Sequence, residues 1–301
     1  MKIAFIGLGR MGFPMAGHLA QAGHELTVTD VDQAQMASWV ESNSGTSAPV
    51  PRGSVADAEI VVSSLPADAQ LRAVADGSDG VLAAASDGAV WIDHTTASAK
   101  VSRELAAEAS TQGVAFIDAP VSGGVDGARA GTLAVMAGGD GDAFERARPV
   151  MEAYAARISH MGPSGAGQLT KMTNQICVVG LCQALVEGLD FAEAAGLELE
   201  RVVEVMLAGA SASWEMENRW RPMAEGSYDF GFATELMRKD IGLCLDEARA
   251  SGVALPVTAL VDQFLSEVES LGGARWDWCS LMERQRRLRA GAGGAEDANA
   301  G

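Results

Sequence analysis

The sequence is poor in cysteine, tyrosine and positive charge. Its four cysteines, Cys177, Cys182, Cys244 and Cys279, form no CxxC pair, which argues against a zinc site and against a disulfide framework. Lys and Arg number 22 against 40 Asp and Glu, a formal net charge of −18. A field of that sign disfavours nucleic acid and anionic membranes as partners. It leaves room for a local anion site, because a few backbone N–H groups and one Lys suffice for that. No apolar run approaches the roughly 18–20 residues that cross a bilayer, so no membrane partner is expected. The first residues, Met1-Lys2-Ile3-Ala4-Phe5-Ile6-Gly7, lack the longer apolar stretch and small-residue cleavage site of a secretion signal. A reduced, cytoplasmic protein is the expectation, and no internal repeat stands out.

What is present points to a folded chain of two domains. The 301 residues are 48% apolar and 21% charged, a globular balance. Short β-rich runs at 2–6, 25–29, 59–65, 89–93, 115–118 and 133–137 alternate with helical spacing at 11–21, 32–40 and 98–112. That alternation implies a parallel sheet covered on both faces. From 165 onward the strand signal ends. One long helix is expected over 165–194, then helices at 199–207, 213–223, 233–250, 257–269 and 280–288. The expected plan is an α/β domain over 1–163, an all-α domain over 164–289 entered by the long helix, and a low-complexity, disordered tail over 290–301. Glu187 and Asp190 share a face of the long helix, but without His or Cys partners they do not read as a metal site, and no metal is expected.

Gly7-Leu8-Gly9-Arg10-Met11-Gly12 matches GxGxxG between a strand and a helix, the context that a dinucleotide-binding turn requires. Gly7 permits the tight turn, Gly9 lets the backbone approach a pyrophosphate, and Gly12 lets helix pack on strand. Asp30 ends the second strand 23 residues after Gly7. A carboxylate there accepts hydrogen bonds from a ribose 2′-OH and repels a 2′-phosphate, and Val31 and Asp32 offer no Arg. The expected cofactor is NAD, with NADP disfavoured.

Two further segments carry candidate chemistry. Asp118-Ala119-Pro120-Val121-Ser122-Gly123-Gly124 follows a strand and can aim a hydroxyl and successive N–H groups at an anion, although an ordinary glycine turn has the same local look. Gly165-Ala166-Gly167-Gln168-Leu169-Thr170-Lys171-Met172-Thr173-Asn174-Gln175 opens the long helix. Lys171, Asn174 and Gln175 lie on one of its faces. The helix dipole and partial burial there would lower a lysine pKa toward the range of a general acid/base; a solvated surface lysine is the plain alternative.

Together these segments, with Leu65-Pro66, Asp93-His94-Thr95-Thr96 and Lys239-Asp240, resemble the β-hydroxyacid dehydrogenase family, which includes the 3-hydroxyisobutyrate dehydrogenases. The resemblance runs over about residues 1–285. It implies a Rossmann domain, a long interdomain helix and a helical domain, assembled as homodimers or homotetramers. It also implies reversible hydride transfer between NAD and a small anionic hydroxy acid or sulfonate. In that scheme Ser122, Gly123 and Gly124 hold the substrate carboxylate, and Lys171 is the general acid/base. Leu65, Pro66 and Thr96 line the nicotinamide, and Lys239 reaches toward cofactor or substrate. Family members often carry Asn four residues after the lysine. Here Gln175 has that place and Asn174 precedes it, so the amide role falls to either. His94 stands where many relatives have a small hydroxyl residue, and reads as a strand-end residue bonded to backbone or as a substrate selector. The rival readings are an imine reductase of the same architecture and a non-catalytic dinucleotide-binding regulator, both of which generally lack the lysine.

Overall fold

The computed structural model describes residues 1–299, with side chains as far as residue 291. The chain divides between Lys171 and Met172 into two compact units.

The first unit alternates strand and helix: β1 (Lys2–Ile6), α1 (Gly12–Gln21), β2 (Glu25–Thr29), α2 (Gln33–Ser42), β3 (Thr46–Ser47), α3 (Pro51–Val55), β4 (Ile60–Ser63), α4 (Asp68–Ala75), α5 (Val81–Ala84), β5 (Val90–Asp93), α6 (Ala99–Thr111), β6 (Ala115–Asp118), β7 (Val121–Ser122), α7 (Gly124–Ala130), β8 (Leu133–Gly138), α8 (Gly141–Met151) and β9 (Ala155–Gly162). The strands form one sheet in the order β3-β2-β1-β4-β5-β6-β8-β7, with β9 also on β8. Pairing is parallel from β3 through β6, turns antiparallel between β6 and β8 and between β8 and β7, and is parallel again between β8 and β9.

Strand side chains alternate between two apolar layers. Ile3, Phe5, Ile60, Val62, Val90 and Ile92 join one, and Ala4, Ile6, Val61 and Trp91 join the other. Both faces being buried is why the strands read as unbroken apolar runs. The chain leaves β1 toward β2 on one side and returns to β4 on the other. This reversal makes the C-terminal ends of β1 and β4 the crevice where ligands bind in such sheets.

In the second unit the chain continues α9 (Ala166–Ala194), whose first turns belong to the first unit. There follow α10 (Leu199–Leu207), α11 (Trp214–Glu225), α12 (Thr234–Ser251), α13 (Pro256–Val268) and α14 (Leu281–Asn299). Val179, Cys182, Leu185, Val186 and Leu189 recur at helical spacing along α9 and join Val203, Met216, Met237, Ile241, Leu265 and Met282 in one core. The tail expected over 290–301 begins on α14. Residues 300 and 301, and the side chains from 292 on, lie outside the described residues.

One sequence expectation needs correction. Among the described residues α9 is long and apolar enough to cross a membrane, with an 18-residue window of mean hydropathy 1.4. Half of that window is buried inside the protein, as in the core helix of a helical domain.

Candidate active site

The glycine turn sits at the C-terminal end of β1. Gly7 has φ +95°, and a Cβ on it would lie 2.3 Å from the Ser64 carbonyl oxygen. A Cβ on Gly12 would lie 1.9 Å from the Gly7 carbonyl oxygen, so only glycine lets α1 start this close to the turn. Around Gly9 a Cβ would meet no atom within 4 Å, which leaves this stretch of backbone open to a ligand. No side chain caps α1. Asp30 directly follows β2, with its carboxylate turned to the same place. Its Oδ2 accepts from the Leu8 N–H at 2.6 Å and its Oδ1 from the Asp32 N–H at 2.8 Å. The carboxylate remains partly exposed and Val31 beside it is fully exposed. An open turn with an acceptor at its rim fits a dinucleotide, with the pyrophosphate on the turn and a ribose diol on Asp30.

A buried polar chain supports the neighbouring loops. Asp93 Oδ1 accepts from the Ser63 hydroxyl at 2.6 Å and the Thr95 hydroxyl at 2.7 Å. Trp91 Nε1 donates to the Ser63 hydroxyl at 2.8 Å. The Thr95 hydroxyl accepts from the Leu65 N–H at 3.1 Å. Leu65-Pro66 and Thr95-Thr96 are thereby held together. Burial raises the Asp93 carboxyl pKa to about 7 against the pull of those hydroxyls, and its Oδ2 is buried without a hydrogen-bond partner.

His94 is a core residue. Its Nδ1 donates to the Ala119 carbonyl at 2.6 Å and its Nε2 accepts from the Tyr154 hydroxyl at 2.8 Å; the carbonyl, which can only accept, fixes the tautomer. Burial lowers its pKa to about 4. Of the two readings of this residue, the strand-end one describes what it does here.

Ser122 closes β7, and Gly123 and Gly124 follow at φ +122° and +61°. Both glycines are exposed and Ser122 is partly so, so the loop presents a hydroxyl and two backbone N–H groups. Lys171 lies in the second turn of α9, and only 8% of it is exposed. The start of that helix is fixed from outside. Asp118 Oδ1 accepts from the Gly165 N–H at 2.7 Å and Oδ2 from the Gln168 N–H at 3.0 Å. Burial raises the Asp118 pKa, and these amides pull the other way. The Gln168 carboxamide donates to the Thr95 carbonyl at 2.8 Å and accepts from the Ala97 N–H at 3.1 Å. The capping role of Asp118 and the bonds of Gln168 were not read from the sequence. One signal was available: a helix opening on Gly165 carries no side-chain cap of its own and calls for an acceptor elsewhere.

In the second unit Gln175 is buried with both ends of its amide engaged. Nε2 donates to Asp240 Oδ2 at 2.7 Å, and Oε1 accepts from Asn174 Nδ2 at 2.9 Å. Lys239 Nζ lies 2.9 Å from Asp240 Oδ1. Asn174 is partly exposed.

Residues 2–162 match the family described as the NAD-binding domain of 6-phosphogluconate dehydrogenase, and residues 165–284 that described as the NAD-binding domain of NADP-dependent 3-hydroxyisobutyrate dehydrogenase. The NAD-dependent L-serine dehydrogenase of Pseudomonas aeruginosa is 38% identical over 86% of this chain and 89% of its own. The 3-hydroxyisobutyrate dehydrogenase of the same organism is 38% identical over 88% of this chain and 91% of its own. The chain belongs to the β-hydroxyacid dehydrogenase family. The solved structure of the Mycobacterium tuberculosis 3-hydroxyisobutyrate dehydrogenase with L-serine superposes with a TM-score of 0.86 at 32% identity, covering 94% of this chain and 98% of that one. As a β-hydroxyacid dehydrogenase the protein is an NAD(P)-dependent oxidoreductase acting on a CH–OH group. Among its described residues no group of three or more His, Cys, Asp or Glu is placed to hold a metal ion.

Proposed function

We propose that this β-hydroxyacid dehydrogenase interconverts a small 3-hydroxy acid, or a sulfonate of the same shape, and its semialdehyde, with NAD as the preferred cofactor and Lys171 as general acid/base. The observation that carries the reading is the buried Lys171 on a helix start fixed by Asp118 and Gln168. A lysine is rarely buried without a task, and a fixed ammonium or amine can give or take one proton at one place. Bound NAD supplies a nicotinamide C4 that accepts the hydride from the carbinol carbon. Lys171 Nζ takes the hydroxyl proton as that hydride leaves, and in reduction returns it to the alkoxide oxygen. The Ser122-Gly123-Gly124 loop holds the carboxylate by one hydroxyl and two N–H groups, which orients the carbinol hydrogen.

Asn174 takes the substrate amide role, because the Gln175 amide is already spent on Asp240 and Asn174. Gln175 orients it, and Lys239 extends the same cluster. Asp30, with Val31 and Asp32 after it, disfavours a 2′-phosphate by like charge. Serine and 3-hydroxyisobutyrate, named for the two relatives, are both 3-hydroxy acids, which supports the substrate class. Exposed Phe191, Leu197 and Val205 on the helical unit support a homodimer or homotetramer, and four free cysteines fit a reduced, cytoplasmic protein.

The test is a substrate screen with NAD and with NADP. It takes 3-hydroxyisobutyrate, L-serine, glycerate, a hydroxy sulfonate, a methyl ester of the best acid and a cyclic imine. The acid is expected to be turned over with NAD, the ester to lose most of kcat/KM, and Lys171→Ala to lose roughly 10²–10⁴-fold in kcat while NAD binding stays near wild type. Equal use of acid and ester, or turnover of the imine alone, would sink the hydroxy-acid reading.

A further inference from the structure

We propose that Gln168 is a positioning residue that sets the distance between the proton-transfer group and the nicotinamide side, by clamping the backbone on both sides of Thr96. The inference rests on the roles given above to Lys171 and Thr96. The Gln168 carboxamide makes two hydrogen bonds that straddle one residue: Nε2 donates to the Thr95 carbonyl at 2.8 Å, and Oε1 accepts from the Ala97 N–H at 3.1 Å. A carbonyl can only accept and an N–H can only donate, so the amide has one workable orientation. Gln168 is 0% exposed, as is Ala97, and neither bond has water to replace it if lost. One helical turn further along α9 stands Lys171. Thr95 in turn is bonded to Asp93 and to the Leu65 N–H. The side chain therefore joins the helix that carries the proton donor to the loops that line the nicotinamide. The Asp118 carboxylate fixes the same turn through its bonds to the Gly165 and Gln168 amides. Asp118 caps the helix; Gln168 sets where Thr96 stands relative to it. Hydride and proton leave the same substrate carbon–oxygen unit, so an error in this spacing penalises the chemical step more than the binding of either ligand.

The experiment uses the full chain with two variants. Gln168→Met keeps length and removes both hydrogen bonds. Gln168→Glu keeps both only when its carboxyl is protonated: the C=O then accepts from Ala97 and the O–H donates to Thr95. When ionised it sets an anion against the Thr95 carbonyl. Asp93, Asp118 and Lys171, the titratable neighbours, are common to all three proteins and divide out of a variant-to-wild-type ratio. Expected are near-wild-type NAD binding by fluorescence titration, kcat lowered about 10- to 100-fold in both variants at neutral pH, and a larger primary deuterium isotope effect with carbinol-deuterated substrate. The Gln168→Glu ratio should climb as pH falls, while the Gln168→Met ratio stays flat. Amide hydrogen exchange at Ala97 should be faster in Gln168→Met. Wild-type kcat in Gln168→Met, or a ratio in Gln168→Glu that is lowered yet flat with pH, overturns the proposal and leaves the enzymatic reading standing; if Gln168→Met does not fold, the Gln168→Glu ratio decides. If wild type turns over no hydroxy acid, the enzymatic reading falls, and unchanged Ala97 exchange in a variant lacking the bond overturns the clamp separately.

Discussion

At the scale of single residues, burial decides what a titratable group can do. His94 is held neutral between the Ala119 carbonyl and the Tyr154 hydroxyl, and burial lowers its pKa from 6.5 to about 4. The unfolded chain binds a proton below pH 6.5 that the folded one refuses until about pH 4, so stability falls as pH drops through that window. Asp93 runs the other way. Its pKa is raised from 3.8 to about 7, so it stabilises most at low pH and loses that contribution as pH rises through the interval. Thermal unfolding of His94→Gln should therefore show a lower Tm than wild type at pH 7, where two hydrogen bonds are altered. The gap should narrow toward pH 4, by up to about 3 kcal/mol for the 2.5-unit shift, since Asp93 is common to both proteins. A gap that widens on acidification would mean that His94 is charged in the fold. The same scale shows where sequence reading stops. The turn of Gly7, Gly9 and Gly12 and the place of Asp30 after the next strand were legible because their spacing along one strand–turn–helix–strand unit carries the signal. Gln168 lies 71 residues from Ala97 and 50 from Asp118, and no local pattern announces a bond across that separation.

At the scale of elements, β1, β2, β4, β5, β6 and β8 and the helices α10 to α13 stand within a few residues of where apolar spacing put them, while α14 runs on to Asn299 past the expected end at 288 and the two-residue strand β3 was not expected. Strands buried on both faces and helices with one buried stripe each leave a periodic trace. The strand β9 (Ala155–Gly162) left none, because most of its residues are exposed or half-buried and the position of β8 beside it does the work of recruiting it. The short helices α3, α5 and α7 were missed for a related reason: four to seven residues are too few for a 3.6-residue period to show. The join of β1 to α1 gives a prediction at this scale. In Gly12→Ala the new Cβ meets the Gly7 carbonyl oxygen at 1.9 Å, so α1 must move off the turn. The expected loss is about 1–3 kcal/mol of stability, read as a lower Tm, with weakened NAD binding. In Gly9→Ala the Cβ meets nothing within 4 Å and the backbone is not at positive φ, so Tm should hold while the NAD Kd rises. If both variants lose Tm equally, the turn is a structural joint and the distinct role of Gly9 disappears.

At the scale of the whole molecule, a chain of net charge −18 is asked to collect an anionic dinucleotide and, on the reading above, an anionic acid. The two fields act over different ranges. The loop of Ser122, Gly123 and Gly124 holds a carboxylate by contacts of hydrogen-bond length, and Lys171 acts from close by. The repulsion of the acidic surface is summed over many charges and is felt at long range. Salt separates them, because the Debye length shrinks from about 30 Å at 0.01 M to about 8 Å at 0.15 M and about 3 Å at 1 M. The first interval removes mostly the long-range repulsion, so kcat/KM for the acid should rise a few-fold. The second reaches the length of the contacts themselves and should lower it again. The methyl ester, which carries no charge, should show a flat profile at its lower level. A steady fall for the acid from the lowest salt upward would mean that a positive potential at the mouth of the site outruns the charge of the molecule, and the lysine and the glycine loop would then be drawing substrate in as well as holding it.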